Sequence, residues 1–379
     1  MRIVIASDKF KGSLDASEVA SFLAEGVHSV DDTVVVDRVP VADGGEGTLD
    51  AALGAGFEPR IVRVTGPTGQ PVEAAFAVRG DEAVIEMALA SGLAVLPSGV
   101  TDAAGATSRG TGELIAAALD AGATRIVLGV GGSATTDGGA GLIQGLGARL
   151  LGADGADLPD GGEALAGLAA VDLSALDARI AGTRFVLASD VDNPLLGPSG
   201  AAAVFGPQKG ADAATVAALD VALAHYAGLL SAALGDAAAR AVSSPGAGAA
   251  GGVGFAALAV LGAERRPGID VVLEFAGLDE RIAGADLVIT GEGSLDEQSF
   301  GGKTPIGVAR AAAAASVPVI AVCGRTTLSS ARLREAGFER TLALTDLEPD
   351  ADVCMRAPGR ILRRIGALVA ADLGAHVRH

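Results

Sequence analysis

The chain has 379 residues, of which half are apolar, only 3% are aromatic and none is tryptophan, so its interior is built from aliphatic side chains. This length exceeds what one hydrophobic core ordinarily supports and favours two domains. The net charge of −18 repels nucleic acids and anionic membrane surfaces, so we expect neither as a partner and expect local cations or a metal ion to hold any anionic substrate.

Strands and helices alternate at both ends of the chain. Arg2–Ser7 and residues 34–41 are apolar runs typical of buried parallel strands. Between them, Asp15 followed three residues later by Glu18 indicates the start of a helix. Near the other end, three further apolar runs predict strands at residues 285–290, 317–323 and 341–345. Five strands separated by helices predict a doubly wound α/β sheet, in which ligands bind beyond the carboxyl ends of the strands.

The middle of the chain has a different pattern of predicted strands, which indicates an inserted domain. Short strands at residues 61–64, 72–78 and 83–87 are joined by GPTGQ and RGDE, which is a hairpin pattern. We therefore expect one discontinuous α/β domain of residues 1–60 plus 281–379, interrupted by a second α/β domain of residues 61–280 with a mixed sheet. The N-terminal residues contain no apolar run long enough for a signal peptide or a membrane span, so we expect a cytoplasmic protein that does not bind membranes.

The lysines point to glycine-rich loops. Lys9, Lys11, Lys209 and Lys303 are the whole set, and three of them adjoin a glycine directly. A compact ammonium beside a backbone without Cβ can approach phosphate together with exposed N–H groups. Because the chain contains 55 glycines, chance adjacency is the alternative.

A glycine-rich loop at residues 129–141, GVGGSATTDGGAG, follows a predicted strand and precedes a helical stretch. Its N–H groups and the helix dipole are suited to an anion, and we interpret it as a phosphate cradle. A tight strand–helix turn is the alternative. The residues assigned to nucleotide binding here are Gly131, Gly132, Ser133, Thr135 and Gly138.

A second loop at residues 291–304 follows the predicted strand 285–290. Its GGKT ending resembles a Walker A loop, but Glu297 stands where that motif needs glycine, so the Walker assignment fails. The residues of this loop expected to bind nucleotide, phosphate or metal are Gly291, Gly293, Ser294, Asp296 and Lys303.

Two acidic loops also follow predicted strands. One contains Asp43 and Glu46, and the other contains Asp190 and Asp192. Oxygen ligands of this type suit Mg²⁺, although Asp also favours turns for local reasons. Arg109 lies just before a predicted helix, where it is able to pair with a carboxylate or phosphate.

Eight strings of this sequence, in this order, resemble the bacterial glycerate kinases of glyoxylate and sugar-acid catabolism. They are ASDKFKGSLDA, PVADGGEGTLDA, VTGPTG, TSRGTGEL, GVGGSATTDGGAG, SDVDNPLLG, FGPQKGA and ITGEGSLDEQSFGGKTPIGVA. The resemblance covers nearly the whole chain. It implies a flavodoxin-like domain interrupted by a second domain, and ATP-dependent phosphorylation of D-glycerate, usually to 2-phosphoglycerate, in the cleft between them.

Phosphoryl transfer requires positioning, neutralisation of the γ-phosphoryl charge and orientation of the attacking hydroxyl. We expect Asp190 to orient or deprotonate the glycerate hydroxyl, with Lys9 and Lys303 as the other catalytic residues. The residues expected to bind glycerate are Lys11, Arg109, Asp43 and Glu46, and those expected to hold Mg²⁺ are Asp192 and Asp296, with Asp43 as an alternative. The roles within each loop are open to permutation.

Two other functions remain open at this point. One is a magnesium-dependent phosphatase acting on a sugar-acid phosphate, and the other is a non-catalytic binding protein for hydroxy acids. Glycerate and ATP are the expected small-molecule partners, and a homodimer is possible.

Overall fold

A computed structural model describes residues 1–376 of the chain. These residues form two compact units. The first comprises residues 1–43, 50–56 and 269 onwards, and the second comprises residues 44–49 and 57–268. Compared with the expected domains of residues 1–60 plus 281–379 and 61–280, residues 44–49 and 57–60 lie in the second unit and residues 269–280 lie in the first.

The strands are numbered in chain order. They are β1 (Arg2–Ser7), β2 (Val35–Arg38), β3 (Glu58–Thr65), β4 (Pro71–Arg79), β5 (Glu82–Glu86), β6 (Arg125–Gly129), β7 (Arg149–Leu151), β8 (Ala170–Asp172), β9 (Arg184–Ala188), β10 (Glu264–Arg266), β11 (Leu287–Leu295), β12 (Val319–Thr326) and β13 (Arg340–Ala343).

The first unit is built on a parallel sheet with the order β13-β12-β11-β1-β2. Counted within the unit, this is the order 2-1-3-4-5 of flavodoxin-like folds, so the predicted doubly wound sheet is confirmed. The order reverses between β1 and β11, where Ser7 lies opposite Gly291. Ligands of such sheets bind at this switch point, beyond the carboxyl ends of the two strands.

Helices flank this sheet. Asp15 begins the first of them as predicted, because its carboxylate accepts from the Glu18 N–H at 2.7 Å while the Glu18 carboxylate accepts from the Asp15 N–H at 3.0 Å. The helices of this unit are Ala16–His28, Leu278–Ile282, Thr304–Ala314, Ser330–Glu335, Leu344–Leu347, Ala351–Arg356 and Pro358–His376, with a short 3₁₀ turn at Glu297–Gly301. Thr48–Gly54 and Gly268–Phe275 are helices that cross the boundary between the two groups of residues.

The second unit contains a mixed sheet, as predicted, with the order β10-β9-β6-β5-β4-β3. The strands β5, β6, β9 and β10 run parallel, whereas β3, β4 and β5 form antiparallel hairpins. A separate antiparallel pair joins β7 to β8. Its α-helices are Ala88–Ser91, Arg109–Asp120, Ala140–Gly145, Ala201–Phe205, Ala213–Leu234, Asp236–Ala241 and Ala249–Ala259, and its 3₁₀ turns are Leu93–Val95, Pro97–Gly99, Glu163–Gly167, Ala178–Gly182 and Pro207–Lys209.

The helix Ala213–Leu234 is, within residues 1–376, the one segment long and apolar enough to cross a membrane on length and composition alone. One face of it, including Leu219, Leu223 and Tyr226, is buried in the apolar cluster of the second unit. The helical spacing of these residues is that of a core helix.

Two helices of the first unit touch through their backbones. A Cβ placed on Gly26 would lie 2.1 Å from the carbonyl oxygen of Arg363, and one placed on Gly366 would lie 2.2 Å from the carbonyl oxygen of Leu23. Because the obstructing atoms are backbone, a side chain at either position has to move the helices apart.

We therefore expect Gly26→Ala to lower the free energy of unfolding by about 1–3 kcal/mol. The matched control is Gly228→Ala, since Gly228 is also helical and a Cβ there meets nothing within 4 Å. That change should stabilise the protein by up to about 1 kcal/mol, because alanine has less backbone entropy to lose than glycine. Urea denaturation followed by circular dichroism measures both. Wild-type stability of the Gly26 variant would contradict the backbone contact.

Candidate functional site

Asp8 lies directly after β1, at the switch point of the first unit. One of its carboxylate oxygens accepts from the Thr304 hydroxyl at 2.7 Å, and the other accepts from the Lys9 N–H at 2.7 Å. Thr304 is the first residue of the helix Thr304–Ala314, so the positive end of that helix dipole lies beside this carboxylate. Asp8 was not among the predicted site residues.

Burial, and after it the negative charge of Asp43, raises the pKa of the Asp8 carboxyl from 3.8 to about 7. The hydrogen bonds from Thr304 and Lys9 act in the opposite direction. A carboxyl with such a pKa is able to take up or release a proton near neutral pH, which is what general acid–base catalysis requires.

A second carboxyl of this edge belongs to Glu292 in β11. It is buried and accepts a short hydrogen bond from the Ser299 hydroxyl. Burial raises its pKa, the positive charge of Lys303 lowers it, and the negative charges of Asp296 and Asp43 raise it. Asp43, Asp296 and Lys303 therefore all lie close enough to Glu292 for their charges to act on its pKa.

The structure thus brings together several residues that the sequence predicted for this site. Lys303 precedes the helix Thr304–Ala314 at its N-cap, and the Asp296 carboxylate accepts from the Gln298 N–H at 2.9 Å to cap the turn that leads there. Gly293 lies against the backbone of Lys11, since a Cβ on it would be 3.2 Å from the Lys11 nitrogen.

Two residues of the loop at residues 291–304 were predicted to bind nucleotide, and their surroundings differ. Gly291 is buried inside the sheet, where a Cβ would lie 1.9 Å from the carbonyl oxygen of Val322, so this glycine serves strand packing. Ser294 pairs with Arg325 in the strand ladder and is partly exposed.

In the second unit, the glycine-rich loop after β6 has an open part and a buried part. Gly132 is exposed and Gly131 is partly exposed, whereas Ser133 is 5% exposed and Thr135 is fully buried. The Thr135 hydroxyl donates to the carbonyl oxygen of Ala106 at 3.0 Å. Gly138 packs on an aromatic ring, because a Cβ on it would lie 3.1 Å from Tyr226 carbons. Thr135 and Gly138 therefore support the loop from inside, and Gly131 and Gly132 form the part that solvent reaches.

The open part of this loop contacts another glycine turn of the same unit. A Cβ on Gly131 would lie 2.5 Å from the Cα of Gly45. That turn is held by the buried carboxylate of Glu86, which accepts from the N–H groups of Gly47 and Leu49, each at 3.1 Å. Glu86 was missed by the sequence analysis, although a carboxylate next to the end of the predicted strand 83–87 was a visible signal. Glu46 is exposed.

The remaining predicted residues of the second unit have partners within the protein. Asp190 is exposed and accepts from the Gly268 N–H at 2.8 Å, at the start of the helix Gly268–Phe275. Asp192, whose side chain is 80% exposed, pairs with Arg265 at 2.8 Å. Both aspartates thus have partners within the protein, and their predicted chemistry stays a prediction.

Arg109 pairs with a carboxylate of the chain itself. Its guanidinium binds Asp160 through Nε at 2.9 Å and Nη2 at 2.5 Å, and this hydrogen bonding raises its pKa. Asp160 is 51 residues away in sequence. A substrate would have to compete with this partner.

Comparison with known proteins agrees with the architecture. The model of the glycerate kinase family matches residues 3–374. The chain is 48% identical over 355 residues to a glycerate kinase of Bacillus subtilis (strain 168), covering 93% of this chain and 91% of the relative. It is 44% identical over 383 residues to the glycerate 2-kinase of Escherichia coli (strain K12), covering 100% of both.

A solved crystal structure described as a glycerate kinase 2 from Salmonella typhimurium LT2 aligns with a TM-score of 0.87 and 42% sequence identity, covering 100% of both chains. The family match spans both units and includes the strand ends at which the charged side chains gather. The chain therefore belongs to the glycerate kinase family and is an enzyme of the kinase class.

Proposed function

We propose that this chain transfers the γ-phosphoryl group of ATP to a hydroxyl of D-glycerate, with 2-phosphoglycerate as the product. Family membership over residues 3–374 supports the reaction, and the relative named glycerate 2-kinase supports the position. The observation that carries the proposal is the cluster at the switch point of the first unit. There a carboxyl with a pKa of about 7, a lysine and a helix N-terminus occur together.

Asp8 replaces Asp190 as our proposed base. Asp8 is held by Thr304 and Lys9 and its pKa lies near neutrality, whereas Asp190 is exposed and accepts a backbone N–H. The glycerate hydroxyl oxygen attacks the γ-phosphorus, and its proton passes to the Asp8 carboxylate. The bond from the γ-phosphorus to the bridging oxygen breaks, and ADP leaves with the electron pair.

Charge on the transferring group is neutralised by the cations of the first unit. Lys303 lies at the N-cap of the helix Thr304–Ala314, and its positive charge already acts on buried Glu292. Lys9 acts in the same way on Asp8. Fixed positive charges that need no rearrangement stabilise a transition state more than mobile water does. Lys11 and Gly293 lie next to each other, which suits the carboxylate of glycerate.

Mg²⁺ fits this edge as an ion held mainly by phosphate. Within residues 1–376 no three His, Cys, Asp or Glu side chains are grouped to hold a metal ion. Magnesium requires only one or two carboxylates when phosphate oxygens and water complete its shell. Asp43 and Asp296, which both act on Glu292, are the residues that would hold it. When bound, the ion neutralises phosphate charge.

A cytoplasmic location and a homodimer stay predictions.

The reaction itself is tested with purified protein, ATP, Mg²⁺ and D-glycerate. We expect ADP to form only when glycerate is present, and ³¹P NMR to show 2-phosphoglycerate. Release of inorganic phosphate from phosphoglycerate without nucleotide would instead support a phosphatase. Glycerate binding by calorimetry without turnover would support a binding protein.

Asp8→Asn tests the base. Removing the proton acceptor should lower kcat about a hundredfold or more. Folding raises the pKa of Asp8 from 3.8 to about 7, so the folded protein holds a proton that the unfolded chain releases. The stabilisation from this proton is therefore full below a pH of about 4 and is lost as the pH rises to about 7. In EDTA at pH 8 the variant should therefore melt on the order of 2–4 °C above the wild type, and this gain should shrink at pH 5.

The control for Asp8→Asn is Asp32→Asn, the same change at an exposed aspartate of the first unit. It should alter neither turnover nor the pH dependence of melting. Wild-type kcat in the Asp8 variant would remove Asp8 as the base, even if the melting shift appeared.

Lys303→Ala should lower kcat on the order of a hundredfold, since its charge is needed where negative charge moves in the transition state. The matched control is Arg334→Ala, which removes one positive charge from an exposed position of the same unit. Steady-state kinetics with saturating ATP and glycerate measures both variants. Equal losses in the two variants would show that only the overall charge matters.

A further inference from the structure

Lys209 is fully buried beneath the glycine-rich loop of the second unit. It ends the short turn Pro207–Lys209, and its ammonium donates to the carbonyl oxygen of Thr135 at 2.5 Å. Burial lowers the pKa of Lys209 to about 7, and the negative charge of Asp137 opposes that shift. The function proposed above leaves this lysine without a role.

Asp137 is the buried anion that accompanies it. Its carboxylate accepts from the N–H and the hydroxyl of Ser108, both at 2.8 Å. It also accepts from the N–H groups of Gly139 at 3.0 Å and Gly141 at 3.1 Å. A single side chain therefore ties the end of the loop to the start of the helix Arg109–Asp120 and to the first turn of the helix Ala140–Gly145.

The loop has a fastened half and an open half. In the fastened half, the Ala134 N–H donates to Ser91 at 2.9 Å and the Gly138 N–H donates to Gly251 at 2.9 Å. In the open half, the N–H groups of Gly131, Gly132 and Ser133 donate to no acceptor among the described residues, although the carbonyl oxygen of Gly132 accepts from the Leu93 N–H at 2.9 Å. Thr135, the residue that Lys209 holds, lies two positions beyond this open half.

The Thr135 carbonyl is enclosed on another side by Gly251, where a Cβ would lie 2.0 Å from the carbonyl oxygen. The peptide is thus fixed by backbone packing and by the Lys209 ammonium. A buried ammonium costs free energy unless a hydrogen bond and a counter-charge compensate, and a methionine would fill the same space without that cost. The lysine therefore supplies a charge and a donor that packing alone does not need.

We propose that Lys209 is a positioning residue for the open segment Gly131–Gly132–Ser133. By holding the Thr135 carbonyl and balancing Asp137, it fixes the three N–H groups in the arrangement that receives the phosphates of the nucleotide. This role rests on the proposed kinase function. Backbone N–H groups held in place in advance bind anions more tightly than mobile ones, because no ordering entropy is lost on binding.

Lys209→Met tests the proposal, with Tyr226→Phe as the matched control. Tyr226 is buried in the same region and its hydroxyl has no hydrogen-bond partner among the described residues. In the Met variant we expect the KM for ATP to rise on the order of tenfold. The KM for glycerate and kcat should change by less than about threefold. Hydrogen exchange of the amides of residues 130–141 should be faster than in the wild type. The Phe variant should match the wild type in each measurement.

A folded Lys209→Met enzyme with wild-type KM for ATP and wild-type exchange of the loop amides overturns the proposal and leaves the kinase function intact. If the wild type does not phosphorylate glycerate, the proposed function fails, and hydrogen exchange with calorimetric titration of ATP still decides the role of Lys209.

If Lys209→Met does not fold, Lys209→Gln and Lys209→Arg provide the comparison. The proposal requires a larger rise in the KM for ATP in the Gln variant, which lacks the charge, than in the Arg variant. Equal rises in the two variants overturn it.

Discussion

Parallel strands end at the same edge of a sheet, and the chemistry of the first unit depends on this constraint. Ser7 and Gly291 lie opposite each other in β1 and β11, so the residues that follow them emerge side by side. Asp8 and Glu292 are therefore neighbours in space although 284 positions separate them in sequence. The helix Thr304–Ala314 begins at this edge and supplies Thr304 to Asp8. Two carboxyls with raised pKa values and a lysine follow from one strand order.

In the second unit, buried side chains hold a glycine-rich turn in one conformation. Glycines offer close approach but little rigidity. Here rigidity comes from charges placed inside the protein, with Asp137 accepting four hydrogen bonds and Lys209 holding a carbonyl. Glu86 does the same for the neighbouring turn through Gly47 and Leu49. Buried ionic groups thus replace the packing that side chains provide elsewhere.

Much of the fold follows from local patterns in the sequence. The run Arg2–Ser7 forms a strand with the predicted bounds, and the pair Asp15 and Glu18 caps its helix from both sides, because both signals act over a few residues. The glycine-rich segment 246–254 has the composition of a loop, and the backbone at Ala250, Gly251 and Gly252 is left-handed, although the helix Ala249–Ala259 is assigned from within this segment. Gly251 packs against the Thr135 carbonyl, a distant contact that local sequence patterns do not reveal.

The site was less predictable than the fold, since burial and distant partners decide the role of each charge. Arg109 pairs with Asp160, and Arg265 pairs with Asp192. Neither pairing can be predicted from the spacing of these residues in the sequence. Asp8 acquires its raised pKa from burial and from Asp43, which a sequence does not display. Position at a strand end predicts which loops gather charged side chains, and burial and partners then distinguish the side chains within each loop.

The strand order also has a consequence for biosynthesis. In the finished sheet β1 lies between β2 and β11, but β11 is translated about 280 residues after β1. While the ribosome makes the residues between them, the apolar strand β1 has an unpaired edge, which is the kind of surface that aggregates or recruits chaperones. All strands of the second unit's sheet are complete before β11 is made, so the second unit can fold before the first unit has all of its strands.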